Sequence, residues 1–240
     1  MVTDILKHMR PSPKIAYPEY SAGTKNIEEY FYDWVVKVYR ILPSGFTYIP
    51  AFWTHYYIQH GFGKDPMPEH DILMREIISS NKKYFTVTQY DDGILGNVPP
   101  NLTVFSAGNK GKIVPGYSHP YIPIPLLAFN FPSSLHEGSL MLKPQEKRKN
   151  LICFAGSLET HPIRKKMAEY FKGKPGVVFA EGLPAKEYAE LIEDSIYTLC
   201  PRGYGISSFR LYEALKCGSI PLYFIDDYET WHVPFVCRKS

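Results

Sequence analysis

The stretch "IYTLCPRGYGISSFRLYEALKCGSIPLYF", residues 196–224, decides the fold. An apolar, β-branched run leads into a loop containing Gly203 and Gly205. Ser207 and Ser208 then open a segment of helical period that closes at Gly218, and a second apolar run, "SIPLYF", follows. Strand, glycine-bearing loop, serine-opened helix and strand, in that order, predict one βα unit and the start of the next in a parallel sheet.

The pattern extends upstream. "NLICFAG" (150–156) is a buried strand, "HPIRKKMAEYFKG" (161–173) a helix closed by Gly173, "GVVFAEG" (176–182) a strand, and "PAKEYAELIEDS" (184–195) a helix with proline at its start. Three βα units in sequence make a small Rossmann-like domain. In the first half, "GFTYIPAFW" (45–53), "KKYFTVTQY" (82–90) and "NLTVFSA" (101–107) read as strands. "NIEEYFYDWVVKVYRIL" (26–42) reads as a helix capped by Asn26, and "HDILMREIISS" (70–80) as a helix with Asp71 at its cap. This alternation predicts a second α/β domain. The polar segment 132–150, ending in a basic cluster, is the expected boundary and gives domains 1–140 and 141–240. The many tyrosines and tryptophans of the first half, Trp34, Trp53, Tyr56 and Tyr57 among them, fall at helical spacing and read first as core.

Composition removes several function classes. The chain has 240 residues, 27 basic and 24 acidic, for a formal net charge of +3, which is too balanced for the basic footprint of a nucleic-acid binder. No run approaches the ~20 apolar residues of a membrane span, and the N-terminus lacks the apolar core of a signal peptide, so a soluble, cytoplasmic protein is expected. Cys153, Cys200, Cys217 and Cys237 show no CxxC spacing and sit in or beside apolar runs, as buried free thiols would.

The loop at 201–208 is placed to bind an anion. In open α/β sheets, ligands sit at the carboxyl ends of strands, where helix N-termini offer unpaired N–H groups. Gly203 and Gly205 allow close approach, and Ser207 and Ser208 either cap the helix or donate hydroxyls. Arg210 lies in the first helical turn, where its charge opposes the helix dipole and suits a bound anion. Glu213 shares its face, and could either accept a ribose diol or pair with Arg210 on the surface. The loop is neither a Walker A nor a GxGxxG motif.

Residues 199–224 resemble the signature of exostosin-like glycosyltransferases, roughly CLxPxGxxxxSxRxxEAxxxGCIPV, through Pro201, Gly203, Ser208, Arg210, Glu213, Ala214, Gly218, Ile220 and Pro221. "RKNLICFAG" followed by "IRKKM" is similar to the family's preceding block, through Arg148, Phe154, Ala155, Gly156 and Arg164. "FTVTQYDDG" resembles its FFVxxHDxG, with Asp91 and Gly93 kept, and "HPYIPIP" its DVVIPYP. Tyr90 stands where the family has histidine, and Ser219 where it has cysteine. Further sequence normally completes the family's second domain, and the missing N-terminal anchor is similar to short soluble transferases of large algal viruses.

The resemblance implies a GT-B fold, two Rossmann-like domains with parallel sheets facing a cleft, the first on the acceptor side and the second holding the donor. It implies transfer with inversion from a UDP-sugar, xylose among the candidates, to an oligosaccharide or glycoprotein glycan, with UDP-sugar as co-substrate and no other cofactor. No Asp-x-Asp pair occurs in the chain, so a metal-independent site is expected, with arginines and helix N-termini meeting the charge of departing UDP. The implied donor residues are Gly156, Arg164, Arg202, Gly203, Tyr204, Ser207, Ser208, Arg210 and Glu213. For the base that deprotonates the acceptor, Asp91 comes first, then Asp92 and Asp71, against a plain turn role for "YDDG". A noncatalytic nucleotide-sugar or carbohydrate binding module stands as the alternative. A hydrolase with paired carboxylates ranks last, because it has no use for a diphosphate loop.

Overall fold

The computed structural model describes residues 2–10, 26–39, 44–108, 121–126 and 142–224. They fall into two compact units, the first within Met1–Leu126 and the second within Leu127–Tyr228. The expected boundary at 140/141, Cys237 and the end of the chain beyond Phe224 lie outside the described residues.

In the first unit, a parallel sheet runs in the order β1 (Phe46–Tyr48), β2 (Lys83–Thr88), β3 (Leu102–Ser106), β4 (Tyr121–Pro123). Around it are α1 (Val2–His8), α2 (Ile27–Asp33), α3 (Trp53–Gln59) and α4 (Pro68–Ile78). The predicted strand 45–53 is shorter than its composition suggests. β1 ends at Tyr48, and Trp53 begins α3, where the aromatic run "WTHYYIQ" packs Trp53, Tyr56 and Tyr57 into the core with Leu73, Ile77, Leu102 and Val104. Trp53 Nε1 donates to Thr86 Oγ1 at 2.8 Å, and that hydroxyl donates to Ile49 O at 2.9 Å, so the indole is fixed as well as buried.

Asn26 caps α2 as expected, but from Trp34 to Tyr39 the helix widens into a π-helix. α4 also departs from expectation. Met67 occupies its N-cap position and Pro68 begins it, so Asp71 is not the cap but the fourth residue of the helix. Proline's fixed φ and missing N–H make it the better first residue.

The second unit holds β5 (Asn150–Ala155), α5 (Pro162–Phe171), β6 (Val177–Ala180), α6 (Ala185–Glu193), β7 (Ser195–Pro201), α7 (Phe209–Lys216) and β8 (Ile220–Phe224), the three βα units read from the sequence. Its parallel strands are ordered β6-β5-β7-β8. The chain steps outward from β5 to β6, then crosses back over β5 to place β7 and β8 on the other side. The crevice at the carboxyl ends of β5 and β7 is therefore a topological switch point, where such sheets bind ligands. Strand order in the first sheet does not reverse among the described strands.

Arg148 secures the opposite edge of the second sheet. It is buried, and its guanidinium donates to the carbonyls of Ser195, at the start of β7, of Cys217, ahead of β8, and of Lys143, in the segment that leads to β5. This family-matching arginine holds the fold together at the end remote from the switch point. Lys143 and Lys149 both pair with Asp194 beside it. Cys153, Cys200 and Cys217 are buried free thiols, and burial pushes the last two up to about 12, out of range for reactivity. Ser219 is buried too, its Oγ 2.7 Å from Thr198 Oγ1.

Candidate donor site and carboxylate edge

β5 ends in Phe154-Ala155, with Phe154 fully buried, and Gly156 follows. Over its ring lie two guanidiniums, Cζ of Arg210 at 4.7 Å from the centroid and Cζ of Arg164 at 5.9 Å. Arg210 Nη2 donates to Ala155 O at 2.6 Å. Arg164, in the first turn of α5, donates through Nε to Arg202 O and through Nη1 to Ser157 O, each at 2.8 Å. It thereby ties the loop leaving β7 to the loop leaving β5 across the switch point.

The glycines have a more specific purpose than the sequence suggests. Gly156 has φ +137°, and a Cβ there would stand 2.5 Å from Arg210 Nη2. A Cβ on Gly203 would come 3.1 Å from Arg164 Nη2. Both positions are left bare so that backbone can lie against guanidinium.

The electrostatics follow from this crowding. Burial, with Arg210 adding to it, holds Arg164 down to about 10. For Arg210 burial also works against the charge, but Tyr188, Cys200 and Glu213 outweigh it and its pKa stands above the ordinary value. Both are cationic at neutral pH, and Arg210 Nε is buried without a hydrogen-bond partner. Two close positive charges on one apolar ring, with a spare donor, can hold an anion.

Around this pair, Ser208 occupies the N-cap position of α7, yet its side chain makes no capping bond. Ser207 is half-buried and Tyr204 is 70% exposed. Glu213 does not form the simple surface contact of the plainer reading, because its Oε2 accepts from Tyr188 Oη at 2.6 Å. Burial raises its pKa, partly offset by Tyr188 and Arg210. Tyr188 went unnoticed in the sequence because Ala185, Tyr188, Ala189 and Ile192 spell an apolar helix face, on which a tyrosine reads as core.

Residues 118–239 match the family model of the Exostosin GT47 domain, just over half of the chain. The chain belongs to the exostosin GT47 family. It is therefore a glycosyltransferase by family, of the GT-B class that its two parallel-sheet units already suggest, and membership implies a nucleotide-sugar donor and a glycan acceptor. β5, Arg164 and the whole 201–218 segment lie inside the matched span; β2 and Asp91 lie ahead of it. No helix among the described residues of this exostosin-family chain is long and apolar enough to cross a membrane.

The base candidates sit in the first unit. Asp91 and Asp92 occupy the turn that leaves β2, closed by Gly93 N donating to Tyr90 O at 2.9 Å. Both are half-buried at the carboxyl end of the strand, the end at which open α/β sheets bind ligands. The backbone of the turn is confined, since a Cβ on Gly108 would lie 2.8 Å from Asp91 Cα. Tyr90 stacks edge-on against Tyr57 at 4.9 Å and packs on the core. Asp71 lies apart on α4, its exposed carboxylate 3.3 Å from His70 Nδ1.

Beside the Asp91 turn is a carboxyl that the sequence reading missed. Glu28 is fully buried, and its Oε1 accepts from Thr54 N, Thr54 Oγ1 and Gln89 N at 3.1, 2.7 and 3.0 Å. It caps α3 from outside and holds the residue that follows β2. Its Oε2 has no hydrogen-bond partner, and burial raises its pKa. The available signal was a charge on an apolar stripe, with Phe31, Tyr32 and Val35 three, four and seven residues on.

Proposed function

We propose that this chain transfers a sugar, with inversion, from a UDP-sugar to a glycan hydroxyl, and that protein cations rather than a metal meet the charge of the departing UDP. The observation that carries the reading is the pair Arg164 and Arg210 on the Phe154 ring at the β5/β7 switch point. A diphosphate there would meet two guanidiniums and the N–H groups that open α7, fixed before the ligand arrives. Such preorganised charge stabilises a leaving group as the glycosidic C–O bond breaks.

The acceptor oxygen attacks the anomeric carbon from the face opposite the phosphate, and its proton passes to a base. Asp91 is the assigned base and Asp92 its neighbour. Asp71, with His70 as its partner, fits a helix-terminal role better. Gly156 and Gly203 seat the arginines, Ser207 and Ser208 offer hydroxyls to the diphosphate, Glu213 takes the ribose, and Tyr204 and Arg202 border the loop. Xylose and the common hexoses form the donor panel.

The test is calorimetric titration with UDP in EDTA, followed by a panel of UDP-sugars and Arg210→Ala. Binding that survives the chelator and disappears in the variant supports the proposal. Absence of binding by the folded protein would sink it, and binding that requires added metal would remove the metal-independent part.

A further inference from the structure

We propose that Tyr188 is a positioning residue of the donor site, holding Glu213 so that its second carboxylate oxygen receives the ribose diol, and that it thereby sets a preference for ribo- over 2′-deoxyribonucleotides. This rests on the nucleotide reading of the same site.

The argument begins with what fixes the tyrosine. Tyr188 lies on α6, and its ring packs with Leu191, Leu211 and Tyr223 against buried Cys153, Cys200 and Ala214. A ring seated in core has little freedom, so its hydroxyl is a fixed point. That hydroxyl donates to Glu213 Oε2 at 2.6 Å, the length of a charge-assisted bond. A free glutamate on a helix samples several rotamers; one carboxylate oxygen pinned from a neighbouring helix leaves the other at a defined place.

Tyr188 also separates two opposite charges. Arg210 and Glu213 are three residues apart on α7, the spacing at which side chains meet and would join each other. The Tyr188 hydroxyl bonds Glu213 and lies close enough to Arg210 to favour its charged form. A tyrosine oxygen can accept from the arginine while its proton goes to the glutamate. Arg210 is kept on the Phe154 ring by its own bond to Ala155 O, and Glu213, pinned by the Tyr188 hydroxyl, stays available for a neutral diol. A nucleoside diphosphate carries its diol on C2′ and C3′ and its anion on the 5′ oxygen of the same ribose, so two fixed groups side by side on α7 can meet both.

The experiment titrates UDP and 2′-deoxy-UDP into the wild type, Tyr188→Phe and Glu213→Gln, with thermal unfolding of each. Tyr188→Phe removes one oxygen and keeps the packed ring. The expected result is a wild type that favours UDP, and a Tyr188→Phe protein that loses roughly tenfold in UDP affinity while 2′-deoxy-UDP changes less than about twofold. Glu213→Gln should follow the same pattern, and serves if Tyr188→Phe does not fold. Equal losses for both nucleotides in Tyr188→Phe, or no loss, would overturn the positioning role. A wild type that binds both equally overturns ribose selection while leaving the nucleotide site standing. A wild type that binds neither removes the donor reading and this proposal together.

Discussion

A Cβ placed on Gly156 would stand 2.5 Å from Nη2 of Arg210, closer than side-chain carbons approach any atom. The glycine that follows β5 and the arginine in the first turn of α7 are thus mutually dependent. Gly156→Ala should displace the guanidinium from Ala155 O and from the Phe154 ring, besides straining a backbone at φ +137°. The expected outcome is a UDP affinity reduced at least tenfold, close to that of Arg210→Ala, with a stability loss of about 1–3 kcal/mol. Calorimetry and thermal unfolding on the two variants together check this; normal UDP binding by Gly156→Ala would show that Arg210 does not hold the ligand.

Ser208 separates a structural from a ligand-binding reading of the loop. An N-cap serine that bonds its helix typically contributes about 1 kcal/mol. Here the side chain makes no such bond. Ser208→Ala should therefore shift the stability of the second unit by less than about 0.5 kcal/mol while weakening UDP binding several-fold. Denaturant unfolding and calorimetry give the two numbers; a large stability loss with unchanged binding would return the serine to a capping role.

Much of the second unit was legible because each of its βα units carries its own local signals: apolar strands, Pro162 and Pro184 at helix starts, glycines at turns. The first unit was less so. α3 has the aromatic composition of a strand, and what starts it as a helix is Glu28, 26 residues earlier in the chain. A cap supplied from that distance leaves no local trace. For the same reason the arginines could be named but not their arrangement. Arg148, Arg164 and Arg210 look alike in the sequence, yet the first fastens carbonyls at the amino edge of the sheet and the other two converge on Phe154 at the carboxyl edge.

Glu28 makes the stability of the first unit depend on pH in a defined direction. Burial raises its pKa above the ordinary 4.5, partly offset by Gln89 and Thr54, so the folded state holds the proton more tightly than the unfolded chain. Below that value both states are protonated and nothing is lost. As pH rises through it the unfolded chain ionises first, and stability falls until the folded carboxyl ionises too. Glu28→Gln keeps an oxygen for Thr54 and Gln89 and has no proton to lose. Its stability relative to wild type should rise between pH 4 and pH 7, measured by denaturant unfolding at each pH. A constant offset from the buried amide moves the whole curve without altering its slope. A flat difference would show that Glu28 titrates as it does in the unfolded chain.

Under the proposed function, Asp91 is the residue on which transfer, as distinct from binding, depends. It sits at the exit of β2 in a turn held by Gly93 N on Tyr90 O and pressed by Gly108, so an asparagine in its place keeps the backbone and the size of the side chain. The negative charge and the capacity to take a proton are lost. If Asp91 is the base, Asp91→Asn should bind UDP as the wild type does and lose about 10²–10⁴-fold in transfer rate. Asp92→Asn should lose far less, because one carboxylate at this edge suffices to accept one proton. Transfer is followed with the best donor from the UDP-sugar panel, and binding by calorimetry on the same preparations. Full activity in Asp91→Asn would move the base elsewhere at this edge of the sheet. Equal and complete losses in both variants would point to the turn acting as a unit rather than to either carboxylate alone.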